Sequence, residues 1–401
     1  MPLPVIFILL TVLIDAMGIG LIIPVMPDLL QEITQGDLAQ ASRWGGILTA
    51  SFAIMQFLFG PLIGNLSDRY GRRPVLLLSL AILALDYVVM AVAGSIWLLL
   101  AGRIVGGITA ATQSTANAYM ADISEAGQKA QRFGLIGAAF GLGFVIGPVI
   151  GGILGEFGTR APFWAAGALA AANGIFGYFV LRETVTDAIR RPFEWRRANP
   201  LGAFSKLGQL PGIRRGLVIF FLYQVAFGVY PAIWAYFGQA KFDWTPGMVG
   251  LSLGLFGIMM ALVQGWLIRR ILAWLGERGT VIYGLVFDIA AFGAIAFAAT
   301  GTIALILTPL AALGAVITPA LQGLLSQTVG ANQQGELQGA LTSAGALAMI
   351  ISPLLMTEIF ARYTAENAVV YFPGAPFIVS LLLILVALVV FLWPRRETAV
   401  A

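Results

Sequence analysis

Gly64-Asn65-Leu66-Ser67-Asp68-Arg69-Tyr70-Gly71-Arg72-Arg73-Pro74 is the only dense cluster of charge in the first half of the chain, and a long apolar run lies on either side of it. The segment is too polar for hydrocarbon and too short to fold alone. It reads as a tight turn between two membrane helices, and its arginines place that turn in the cytoplasm. Composition points the same way: 59% of the 401 residues are hydrophobic, 10% are charged, and the mean hydropathy is +0.91. A soluble globule is excluded on those figures.

On both sides of this turn, runs long enough to cross hydrocarbon recur at 3–26, 44–66, 75–92, 96–119, 133–154 and 162–181, then at 216–236, 248–268, 280–299, 302–325, 337–357 and 372–393. Each holds roughly 20 apolar residues, enough for ~30 Å of bilayer, and none alternates as a barrel strand would. The expected fold is an all-α polytopic membrane protein of twelve helices. Glycine and proline within the runs mark kinks and close contacts, which a membrane bundle tolerates. The first run has no basic segment before it and no small-residue cleavage site ahead of Asp28, so it reads as a retained helix. The chain has no cysteine, which rules out disulfides and thiol chemistry.

Orientation follows from the basic residues. With both termini in the cytoplasm, inner loops hold Arg69, Arg72, Arg73, Lys129, Arg132, the stretch 182–215, Arg269, Arg270, Arg278, Arg395 and Arg396, which is 18 of the 23 lysines and arginines. The net charge of +4 thus belongs to loops, and nucleic-acid binding is disfavoured. Stretch 182–215 has eight basic and three acidic residues and Pro192, Pro200 and Pro211, and reads as a solvated linker between bundles at 1–181 and 216–401.

The halves repeat at an offset of 205: Gly60 and Gly71 map onto Gly265 and Gly276, and Gly134 and Pro148 onto Gly339 and Pro353. A constant shift over two separate regions predicts two pseudo-symmetric six-helix bundles, an architecture suited to alternating access. The repeat is imperfect. Asp68 maps onto Ala273 and Arg69 onto Trp274, leaving Gly276-Glu277-Arg278 as a remnant.

These residues resemble a known family. Gly-x-x-x-Asp-Arg-x-Gly-Arg-Arg at 64–73 is similar to the loop between helices 2 and 3 of the major facilitator superfamily of secondary transporters. Arg103-Ile-Val-Gly106-Gly107 looks like its helix 4 motif, and Gly143-x-x-x-Gly147-Pro148-x-x-Gly151-Gly152 like the motif of its twelve-helix drug/proton antiporters. Leu13-Ile14-Asp15-x-Met17-Gly18-x-Gly20, Ser67 to Leu80, Leu85-Asp86-Tyr87, Pro319-Ala320-Leu321-Gln322-Gly323 and Gln338-Gly339 resemble the tetracycline/proton antiporters in particular. The resemblance implies proton-coupled efflux of a tetracycline-like drug, hence antibiotic resistance, by a monomer in a bacterial inner membrane. The proton gradient is then the energy source, no cofactor is needed, and the partners are substrate, protons and lipid. It also implies a cytoplasmic gate of Asp68, Arg69, Arg72 and Asp122, with Asp68 meeting a helix N-terminus and Arg72 pairing with Asp122. Topogenic charge alone is the other reading of those residues.

Charged residues within the spans are Asp15, Asp86, Arg103 and Asp288, and each costs roughly 2.5–3.5 kcal/mol to insert at a helix centre. Asp288 has no basic residue in its own span and is the first candidate to load and release a proton; the resemblance gives it the same role. Asp15 and Asp86 are further proton-coupling candidates, although an ion pair of Arg103 with one aspartate reads equally well as structural. Neutral polar groups at Gln113, Asn117, Gln264 and Gln322 fit substrate contact or interhelical hydrogen bonds. Phe227, Tyr230, Trp234 and Tyr236 fit an apolar wall for a planar drug. The tetracycline antiporters have a histidine in helix 8 where this chain has Met260, and the chain has no histidine anywhere, so coupling here runs through carboxylates alone. Gly143, Gly147, Pro148, Gly151 and Gly152 bare one helix face for close packing, as a hinge or as plain contact. No Gly-x-x-x-x-Gly-Lys loop and no His/Cys cluster occurs, which disfavours ATP-driven pumping, metal sites and an enzyme. A transporter of a non-drug metabolite is the alternative, and a receptor or scaffold a remote one.

Overall fold

A computed structural model describes residues 2–110, 112–187, 190–194, 213–330 and 333–393. The expected linker at 182–215 falls largely outside them. Helices account for all the long elements: α1 Leu3–Thr34, α2 Leu38–Tyr70, α3 Arg72–Val92, α4 Ile96–Asp122, α5 Lys129–Gly155, α6 Ala161–Val180 and α7 Arg214–Phe242. After the stretch Pro246–Ala296, which holds α8 and α9, follow α10 Gly301–Ser326, α11 Gln334–Thr364 and α12 Ala375–Leu392.

Eleven helices among the described residues are long and apolar enough to cross a membrane, but Pro246–Ala296 is 51 residues long. At ~1.5 Å per residue it spans far more than the ~30 Å of hydrocarbon. It divides at Gly276, whose φ of 65° and ψ of 177° leave the helical region. The parts, 246–275 and 277–296, are α8 and α9, and the chain makes twelve passes. Because twelve is even, the start of α1, the end of α12, the end of α6, the start of α7 and the Arg69–Arg73 turn share one face, called here the linker face. The other is the far face.

Helices α1–α6 and α7–α12 form two bundles with matching contacts: α1 packs on α5 and α7 on α11, α3 on α6 and α9 on α12, α2 on α4 and α8 on α10. The bundles meet through α2 with α11 and α5 with α8, pairs that the pseudo-symmetry exchanges. The repeat shows in the backbone too. Gly71 and Gly276 both have positive φ, 112° and 65°, where an L side chain is strained. Pro148 and Pro353 both lie inside helices, α5 and α11.

Helices outrun the hydropathy at their ends. The first apolar run stops near Met26, yet Pro24 costs only a short 3-10 turn and the helix resumes from Met26 to Thr34. Asp37 caps the next helix by accepting from Gln40 N at 2.7 Å, and Ser95 does the same for α4 by accepting from Leu98 N at 3.3 Å.

Candidate functional site

The surfaces between the bundles are built from small residues. On α5, Cβ atoms added at Gly143, Gly147 and Gly151 would run into the carbonyl oxygens of Leu13, Met17 and Leu21, so that stripe seats α1 within its own bundle. The Pro148 ring lies on Gly20 of α1, while Gly152 and the Pro148 carbonyl face the other way, against Gly250 of α8, and Gly254 and Gly257 seat Val149 and Val145. Across α2 and α11, Gly46 lies against Pro353 O and Thr357. Backbones approach this closely only where side chains are absent.

Along the same stripes the helices then part. A Cβ built at Gly60 or Gly64 of α2, at Gly134, Gly137 or Gly141 of α5, at Gly265 of α8, or at Gly335 or Gly339 of α11 would meet no atom within 4 Å. All eight lie toward the linker face, whereas Gly46, Gly152 and Gly250 lie toward the far face. The bundles are closed on the far face and separated on the linker face. Polar ties complete the closure: Arg43 with Glu358 at 2.9 Å, Gln239 Nε2 donating to Asp28 Oδ1 at 2.9 Å, and Gly247 N donating to Glu156 Oε1 at 2.8 Å.

In the first bundle, polar side chains of α1, α3 and α4 converge. Arg103 of α4 forms an ion pair with Asp86 of α3, with side-chain exposures of 11% and 2%. Gly102 and Gly106, one residue before and three after Arg103, leave the space that the Asp86 carboxylate fills. The guanidinium lies over the Phe52 ring, 5.2 Å from its centroid. Beside the pair, buried Tyr87 sets its hydroxyl against Gly18 of α1. Asp15, three residues earlier on α1, accepts from the Thr112 side chain, and its Oδ1 is buried without a partner. Thus Arg103 takes Asp86, not Asp15.

Among the described residues the second bundle holds one buried carboxylate. Asp288 of α9 is 5% exposed, and its Oδ2 has no hydrogen-bond partner. Its Oδ1 lies against Gly314, in the 3-10 turn Ala312–Gly314 of α10, where any Cβ would collide with it. Tyr223 and Tyr230 of α7 are its buried electrostatic neighbours, and Tyr223 shares a hydrogen bond with the Thr318 side chain. Asp288 is therefore turned away from lipid, and among the described residues no guanidinium pairs with it.

The aromatic residues of α7 are mostly core. Tyr230 is 6% exposed and packs on Phe227, Trp234, Phe256, Phe292 and Phe377, with centroids 5.4–6.0 Å apart. Trp234 is fully buried and donates to Ser252 Oγ at 2.8 Å. Tyr236 is buried against Gly45 at the α2 contact. Of the expected wall only Phe227 is half-buried, as are Asn117, Met260 and Gln322, while Gln264 is exposed. The side chain of Gln113 lies outside the described residues.

At the linker-face end of the first bundle, Arg72 pairs with Asp68 and, at 3.3 Å, with Asp122 Oδ2. Arg69 stacks on Tyr70 at 5.2 Å. Glu183 accepts from Arg72 N and Arg73 N at 2.9 and 3.2 Å, capping α3 with negative charge. The Asp68 carboxylate engages Arg72 of its own bundle, and the cluster joins α2, α3 and α4, with no bridge to the second bundle among the described residues.

Four features escaped sequence reading: Thr112 beside Asp15, Gly314 beneath Asp288, Tyr223 beside Asp288, and a π-helical segment, Val263–Leu267, in α8. Tyr223 carried a signal, since it lies four residues before Phe227 and seven before Tyr230 on one helix face. The others depend on tertiary contact.

Residues 8–353 match the family described as Major Facilitator Superfamily. The chain is 42% identical over 371 residues to the class C tetracycline resistance protein of Escherichia coli, covering 92% of this chain and 93% of that one. Among solved structures, the human organic anion transporter MFSD10 (TETRAN) is 26% identical with a TM-score of 0.70, covering 97% of this chain and 99% of its own. The nucleoside transporter NupG, 14% identical with a TM-score of 0.78 over 98% and 100% of the two chains, shares the fold. With twelve passes in two exchangeable bundles, contacts made through bare glycines and a match over most of its length, the chain belongs to the Major Facilitator Superfamily of transport proteins.

Proposed function

We propose that this protein is a proton-coupled exporter of an amphipathic, tetracycline-like molecule, working as a monomer in a bacterial inner membrane by alternating access. The observation that carries the reading is Asp288, whose Oδ2 is buried and unpartnered in a bundle core. A carboxyl so placed binds and releases a proton without first breaking an ion pair. Asp15 is its counterpart in the first bundle, and Asp86 joins it through the Arg103 pair. The names of relatives such as the class C tetracycline resistance protein support the choice of cargo. Asn117, Gln322, Met260, Gln264 and Phe227, none of them fully buried, are the proposed substrate contacts; Gln113 joins them by sequence, and Tyr230 supports them from behind.

The linker face carries the clustered arginines and is read as cytoplasmic. On that reading the conformation is open to the cytoplasm and closed to the outside. In the alternate state the Asp68, Arg69, Arg72 and Asp122 cluster forms the floor of the closed cytoplasmic side, and residues 182–215 tether the bundles.

Asp288→Asn in proteoliposomes tests the reading. A folded variant that no longer couples a pH gradient to drug movement is expected, and undiminished antiport refutes the assignment. Met260, standing where the resembling antiporters have histidine, favours a second reading in which the cargo is a non-drug metabolite. A resistance screen over several antibiotic classes with no change for any drug would select it.

A further inference from the structure

The second bundle has a cavity of about 310 Å³ that the transport reading does not use. It opens at the linker-face ends of four helices, with Arg215 and Ile219 from α7, Arg278 from α9, Leu324 from α10 and Trp393 just past α12. Arg215 Nη2 donates to Phe391 O and Trp393 O, both at 2.6 Å, which fixes its guanidinium at the rim. Among the described residues no carboxylate pairs with Arg215 or Arg278. Glu277, next to Arg278 in the chain, is turned toward Gly323. Two cations thus stand over an apolar floor at the depth where spans end and headgroups begin. The cavity is also remote from the buried carboxyl, since Asp288 lies ten residues along α9 from Arg278, or ~15 Å.

We propose that this cavity binds the phosphate of an anionic phospholipid of the cytoplasmic leaflet, with the first acyl methylenes on Ile219 and Leu324. The proposal rests on the cytoplasmic assignment of the linker face. Charge complementarity selects the occupant: an anionic headgroup is attracted by each arginine held at the membrane surface, and Trp393 lies at the level where tryptophan anchors to headgroups. The volume is at the low end for small-molecule sites, which suits a headgroup better than a whole drug. Nearby, Arg270 stacks on Trp266 at 3.9 Å and Trp274 is 88% exposed, so this end of α8 also faces an interfacial environment.

Native mass spectrometry of the full chain in detergent, titrated with phosphatidylglycerol and with phosphatidylcholine, tests it. The wild type is expected to prefer phosphatidylglycerol, and Arg278→Gln to reduce that preference about five-fold, the effect of one arginine near an anionic surface. Leu324→Trp fills the cavity without touching charge and is expected to reduce it as well, a second test should Arg278→Gln fold poorly. Equal binding of the two lipids, or a preference unchanged in both variants, overturns the proposal. So does displacement of the lipid by millimolar inorganic phosphate, which would mark a free-anion site. Binding in detergent is read without reference to orientation, so labelling single cysteines from either side of the membrane fails or succeeds separately.

Discussion

Arg43 of α2 and Glu358 of α11 meet across the far face, Nε to Oε2 at 2.9 Å, and the same carboxylate accepts from Arg362 at 2.8 Å. The pair joins the bundles where Gly46 lets them touch, but its side chains are 47% and 42% exposed. Exposed pairs contribute only ~0.2–1 kcal/mol. Arg43→Gln is therefore expected to shift the population of the far-face-closed state by no more than about five-fold. Spin-label distances between α2 and α11 check this. A shift of several tens-fold would show that the pair, and not the glycine contact, holds the face shut.

The glycine contact carries the larger effect. A Cβ at Gly152 would strike Pro246 and Gly250, and a leucine there would fill the space through which α5 and α8 approach. Gly152→Leu is expected to abolish transport and to trap the far face open while the protein remains in the membrane. Gly137→Leu, at a position with no atom within 4 Å, should leave the state seen here unchanged and hinder only closure of the linker face. The chain has no native cysteine, so single-cysteine accessibility on each face reports both outcomes directly.

The spans were legible because a helix in lipid must be apolar for about 20 residues, a signal that survives without any tertiary information. The offset of 205 was legible for a similar reason: Gly71 and Gly276 share a backbone need that few other residues meet. Helix ends were not, because the polar turns beyond hydrocarbon, such as Met26–Thr34, are helical without being apolar. The partner of Arg103 was not legible either. Asp15 and Asp86 are equally acidic in one dimension, and only the gap left by Gly102 and Gly106 chooses Asp86. The aromatic periodicity of α7 was visible, but whether Tyr230 faced a cavity or Phe377 depended on helices far away in sequence.

Glu156 gives the far face a defined pH response. The Thr245 side chain and Gly247 N–H donate to its carboxylate and hold it below the ordinary glutamate range. Because its proton affinity is lowered by closure, the tie is complete above the ordinary value of about 4.3 and is lost as pH falls through the lowered one. Between pH 5 and 8, closure should thus be insensitive to Glu156. Crosslinking of a cysteine pair placed across α5 and α8 on the far face should fall only below that range, and Glu156→Gln should remove the fall. A wild-type decline centred near pH 6 would assign the response to another group.

The Arg103 and Asp86 pair should behave as a unit. Removing one member of a buried ion pair strands the other and costs ~3–5 kcal/mol, whereas replacing both with neutral groups is often close to neutral. Asp86→Asn is expected to lower the melting temperature in detergent sharply, and Asp86→Asn with Arg103→Gln to recover most of it. If the double variant is stable but still lacks proton-driven exchange, the pair acts in coupling beyond its structural part. If exchange returns with stability, the pair is a scaffold for Asp15.

Gly314 tests the placement of Asp288 without altering its charge. The carboxylate Oδ1 rests on the bare Cα of Gly314, and a methyl there would overlap it. The 3-10 turn Ala312–Gly314 is already a departure from regular helix, with Pro309 one turn earlier, so the backbone has little freedom to retreat. The carboxyl must then rotate, and its surroundings on α7 are the rings of Tyr223 and Tyr230. Gly314→Ala is therefore expected to reduce proton-coupled exchange nearly as far as Asp288→Asn, with a folded protein and little change in counterflow of drug without a gradient. Full retention of coupling in Gly314→Ala would mean that Asp288 works from a position other than the one it occupies here.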